Sequence, residues 1–76
     1  MHSSTFEYLK PTDEQAAQMG VVREAAKAYA AVLEANVPAG PDKTYLMRKL
    51  REVSVWANIA ITRQPDGSPR TEANSA

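Results

Sequence analysis

The 76-residue sequence has no cysteine, a single histidine and only three glycines. Without cysteine there is no disulfide framework, no thiolate nucleophile and no soft metal ligand, and His2 alone cannot assemble a zinc site. No run of about 18 apolar residues is present to span a membrane, and the leading MHSSTFEYLK lacks the apolar stretch of a signal peptide. A glycine-rich phosphate loop is missing too, the glycines standing apart at positions 20, 40 and 67. Nor does either charge dominate. Nine Lys and Arg offset nine Asp and Glu, so there is no net field of the kind that gathers long nucleic acids by counterion release. These absences point away from an enzyme, a metalloprotein, a cofactor-bearing protein, a membrane protein and a binder of duplex DNA or RNA. A small anionic ligand held by a few placed cations stays open, because local charge geometry then outweighs the total.

What is present reads as helix. From Asp13 to about Asn36 the chain is rich in alanine, with Met19, Val22, Ala26, Tyr29, Ala30 and Leu33 recurring at three- and four-residue spacing. Thr12-Asp13-Glu14-Gln15 ahead of it reads as a capping box. Gly20, about 1 kcal/mol worse than alanine inside a helix, marks where a short first segment can break or bend. Pro38 stops this helix, and Gly40-Pro41 starts a second that should run to about Arg63, with Leu46, Leu50, Val53, Ala57 and Ala60 on one face. Tyr45, Val55, Trp56, Ile59 and Ile61 lie beside that face. The predicted fold is all-α: one domain over residues 1–63, an antiparallel helical hairpin with a short N-terminal arm. From Gln64 the polar composition predicts a disordered tail over 64–76.

A two-helix hairpin buries only one stripe of each helix, and here the stripes are too wide. A core this small supplies only about 3–5 kcal/mol, and with neither disulfide nor metal the supplement left is association. A homo-oligomer built on the surplus apolar faces is expected.

The chemistry-bearing residues are few. Phe6, Tyr8 and Leu9 form an aromatic cluster in the arm, and Arg23 and Lys27, four apart, share a helix face. A base can stack on an exposed tyrosine while Arg or Lys meets phosphate. On spacing alone, the default reading of Tyr8 is a packed arm residue and that of Arg23 with Lys27 a solvated surface pair. Arg63, at the end of the second helix, is favoured there by the helix dipole without any ligand. Trp56 reads as core or interface, and Asn58 as a polar residue that fixes the register of an interface. His2 sits in a terminus expected to fray, and the serines fall in arm and tail, so no nucleophile and base are held together.

Phe6-Glu7-Tyr8 ahead of Pro11, Val22-Arg23 in the first helix, a Pro-Gly turn and Trp56-Ala57-Asn58-Ile59-Ala60-Ile61-Thr62-Arg63 together resemble a phage family, the small anti-CBASS cyclic-nucleotide sponge proteins. The resemblance implies a helical hairpin assembled into a hexamer that sequesters cyclic oligonucleotide second messengers, such as cyclic GMP-AMP, without cleaving them, in the cytoplasm of the infected bacterial host. It further implies that Tyr8 stacks on the bases of a cyclic dinucleotide at a subunit junction, that Arg23, or Lys27 one turn on, meets its phosphates, and that Arg63 serves a separate cyclic trinucleotide site. The competing expectation is a protein-binding hairpin that inhibits an effector by direct contact through Trp56 and the apolar faces.

Overall fold

A computed structural model of the chain describes residues 1–71, which form two α-helices, α1 (Asp13–Asn36) and α2 (Pro41–Ile61), paired as a hairpin. The capping box is formed in full. Gln15 N donates to Thr12 Oγ1 at 3.1 Å and Thr12 N donates to Gln15 Oε1 at 3.0 Å. Asp13 and Glu14 in the first turn add negative charge where the helix dipole favours it. Gly20 does not break the helix, for α1 runs through it without interruption. The penalty of one glycine is small beside the cooperative gain of a 24-residue helix, and the Arg23 side chain folds back over the gap, 3.8 Å from where a Cβ would sit.

α1 is capped at Val37, which is extended, the conformation favoured before a proline. Gly40 adopts φ 155°, a conformation that L side chains rarely reach, and Pro41 opens α2 with its ring already set to helical φ. Lys43 bridges the turn, donating to the Glu34 carboxylate at 2.9 Å and to the Glu34 carbonyl at 3.1 Å. α2 closes two residues short of the expected Arg63, because Thr62 turns its amide and hydroxyl back to the Ile59 carbonyl.

Beyond α2 the structure departs from the expected tail. Residues 64–71 fold back as a tight turn: Gln64 N donates to Ser68 O at 2.8 Å, Gly67 N to Gln64 O at 2.8 Å, and Arg70 N to Thr62 O at 2.8 Å. Gly67 supplies the left-handed φ of 88° that the turn needs, and the Asp66 carboxylate accepts from both the amide and the hydroxyl of Ser68. Composition reports how much apolar surface a segment can bury, and this segment is held by main-chain bonds instead. The remainder of that expectation, residues 72–76, lies outside the described residues.

The N-terminus is also tied down rather than frayed. Thr5 N donates to His2 O and Glu7 N to Ser4 O, and the Ser4 side chain is buried. Among the described residues no apolar side chain is fully buried; the buried residues are polar, namely Ser4, Gln15 and Thr62. Met19, Val22, Ala26, Ala30 and Leu33 of α1 are half-buried, as are Leu46, Leu50 and Ala57 of α2. Much other apolar surface of the two helices is open: Val21 is 70% exposed, Trp56 61% and Tyr29 56%. A radius of gyration of 15.3 Å, against about 11 Å for a compact chain of this length, describes the same elongated hairpin.

Candidate functional site

Two shallow grooves collect the residues singled out from the sequence. The first, about 260 Å³, lies between the helices, with Arg23 and Lys27 on α1 facing Arg51 on α2 across a floor of Ala26, Ala30 and Leu50. Small side chains on the floor leave the room, and three long cationic ones rim it. Lys27 lies 3.8 Å from Glu24 with both side chains mostly in solvent, so that pairing is weak. Arg23 and Arg51 have no carboxylate within 4 Å among the described residues. A chain of zero net charge thus carries a local cluster of cations free to accept an anion. Arg51 is the residue that sequence reasoning missed. It stands on the other helix, twenty-four positions beyond Lys27, and only the pairing of α1 with α2 brings it to this rim.

The second groove, about 330 Å³, is shared by Tyr8, Pro11 and Met19 with Asn58, Ile59 and Arg63. Pro11 and the capping box at Thr12 end the arm, so Tyr8 projects beside the start of α1 and is 85% exposed. A ring left in water at a groove is a free stacking surface, so the alternative of a packed arm residue does not hold within one chain. Tyr8 and the Arg23–Lys27 pair line separate grooves, but Met19, which shares the second groove with Tyr8, and Arg23 at the first rim are one helical turn apart, about 6 Å along α1. The groove that holds the stacking ring therefore adjoins the stretch of α1 that carries Arg23 and Lys27.

Arg63 is placed beside Tyr8 and not with the other cations. Its Nη1 donates to Ser4 Oγ at 2.8 Å and to Gly67 O at 3.0 Å, and its Nη2 to Glu7 O at 3.3 Å and Thr5 O at 3.5 Å. Ser4 Oγ also lies 2.8 Å from His2 Nδ1, a separation that a nucleophile and its base can have. Here the hydroxyl is buried, accepts from Arg63, and shares the imidazole nitrogen with the Ser4 amide, which donates to it at 3.1 Å. The pair is a link in the arm's structure.

Close by, the Asp66 carboxyl is held below its ordinary value, first by the hydrogen bond from the Ser68 hydroxyl, then by that from the Ser68 amide, with a smaller contribution from His2. Among the described residues no group of three or more His, Cys, Asp or Glu is placed to hold a metal ion, and no helix is long and apolar enough to cross a membrane.

The hairpin with its leading arm has a counterpart among known families. The Acb2/Tad1 hairpin domain matches residues 1–62, from the start of the arm to the end of α2. No curated protein and no solved structure matches the chain significantly. The matching family is the anti-CBASS sponge family to which the Phe6-Glu7-Tyr8 and Trp56-to-Arg63 motifs point. The chain belongs to the Acb2/Tad1 hairpin domain family.

Proposed function

We propose that this protein is a phage immune-evasion sponge that binds cyclic dinucleotide messengers such as cyclic GMP-AMP and holds them intact, silencing CBASS signalling in the cytoplasm of the infected bacterium. The observation that carries this reading is an exposed stacking ring, Tyr8, in a groove whose α1 residue Met19 stands one helical turn from a rim of cations, Arg23 and Lys27 of α1 with Arg51 of α2. A cyclic dinucleotide asks for that pair of features, a π surface for its bases and placed cations for its two phosphates. The open faces around Trp56, Tyr29 and Val21 support a homo-oligomer, for which the family likeness suggests a hexamer. The protein acts by capture and not by turnover, with no cofactor. A separate cyclic trinucleotide site at Arg63 is the less supported part of the proposal, since phosphate there would have to displace acceptors that the guanidinium already serves.

Isothermal calorimetry with cyclic di- and trinucleotides, on protein sized by light scattering, tests the reading. Tyr8→Ala should lower dinucleotide affinity about 5- to 150-fold, the equivalent of about 1–3 kcal/mol of stacking, and Arg51→Ala about tenfold or more. Ligand released by heat should run intact on chromatography. A wild type silent to every cyclic nucleotide would sink the sponge and favour the second reading, a protein-binding hairpin, which the exposed Trp56 supports. Linear products would overturn capture without cleavage.

A further inference from the structure

Arg63 and the turn that follows it lie beyond the residues that the family matches, and they are built into the arm. A guanidinium has five N–H groups, of which four are on the terminal nitrogens. All four of these are directed at acceptors: Ser4 Oγ, Thr5 O and Glu7 O in the arm, and Gly67 O in the turn. The Glu7 carbonyl belongs to the peptide that leads into Tyr8. Acceptors that fan out over two chain segments fit the planar fork of arginine, and a single ammonium cannot reach them together.

The turn makes a second, independent contact with the arm. A Cβ added at Gly67 would stand 3.3 Å from His2 Cβ, closer than ordinary van der Waals contact, so turn and arm are in close apposition there. The turn is in turn fastened to α1, because the buried Gln15 donates from Nε2 to Arg70 O at 2.9 Å. A continuous path of bonds leads from the start of α1 through the turn and Arg63 to the backbone that carries the exposed ring.

We propose that residues 64–70 are the seat of the Tyr8 arm and that Arg63 is a positioning residue, which governs cyclic dinucleotide affinity by holding Tyr8 in place and not by touching the ligand. The inference rests on the sponge reading for the ligand, but the seat itself is a property of the chain. Ordering a tyrosine before the ligand arrives removes part of the entropy loss of binding. Releasing the arm can cost at most what the ring contributes.

The test is a double-mutant cycle on the full chain, with cyclic GMP-AMP as probe and calorimetry as readout, alongside the heteronuclear NOE of the Tyr8 amide. Arg63→Lys should keep the helices and the oligomer, lower the Tyr8 NOE, and weaken binding several-fold; in a Tyr8→Ala background it should change affinity less than twofold. Gly67→Ala, which leaves Arg63 in place but pushes on His2, should act in the same direction. Equal losses in both backgrounds would mean that Arg63 meets the ligand directly and would overturn the positioning role. A Tyr8 amide as ordered in Arg63→Lys as in wild type would overturn the seat. A wild type that binds no cyclic GMP-AMP while Arg63→Lys still loosens Tyr8 would overturn the role in affinity together with the sponge reading, and leave the seat standing.

Discussion

Gln15 does two jobs with one side chain, and the two can be separated. Its Oε1 accepts from the Thr12 amide at 3.0 Å and completes the cap of α1, while its Nε2 reaches fifty-five positions along the chain to the Arg70 carbonyl at 2.9 Å. The residue is 2% exposed, so neither partner can be replaced readily by water. Gln15→Leu removes both bonds at similar volume, at about 1 kcal/mol each, or about 2 kcal/mol in all. At about 4–8 °C per kcal/mol for a chain of this size, melting followed by circular dichroism should fall by about 8–16 °C. Gln15→Glu keeps the acceptor for Thr12 and sets a carboxylate where the helix dipole favours it, but loses the donor to Arg70, so its melting point should lie between wild type and Gln15→Leu. A fall of less than about 4 °C in Gln15→Leu, the mark of under 1 kcal/mol, would refute the assignment of a structural tie between α1 and the C-terminal turn.

Two further outcomes follow from the open faces and the turn. Trp56→Glu places a charge on a ring that is 61% exposed in one chain, so it should leave the hairpin's own contacts alone and lower the molar mass seen by light scattering; an unchanged mass would remove Trp56 from the interface. Asp66 titrates below the ordinary carboxylate value, so its share of the turn's stability is fully present above that value and disappears as pH falls through the depressed one. The Ser68 amide shift in an NMR pH series should report that midpoint, and a midpoint at the ordinary carboxylate value would show that the Asp66–Ser68 bonds do not persist in solution.

Local signals in the sequence were sufficient for much of the hairpin. Thr12 and Gln15 are three apart, Gly40 and Pro41 are adjacent, and the apolar spacing repeats within a turn or two of itself, so each can be read over a short window. Tyr8, Arg23 and Lys27 were legible as candidates because a resemblance singled them out. Arg51 was not, since its significance depends on the packing of α2 against α1. The turn at 64–71 escaped notice for the same reason in stronger form: its anchors are carbonyls, which every residue has, and their partners, Gln15 and Arg63, are chosen only once the chain has folded. Arg63 looked like a cation suited to a helix end and a ligand, and its donors turn out to serve the arm.

A hairpin in which, among the described residues, no large apolar side chain is fully covered has little to fold around on its own. In the self-assembly proposed above, contacts with other copies add to the hairpin's own, so association stabilises the fold through mass action. The assembled fraction then depends on the protein's concentration. If the chain is the sponge proposed above, its capture of messenger would rise more steeply than in proportion to dose, and the timing and strength of its expression would then matter alongside its affinity for the ligand.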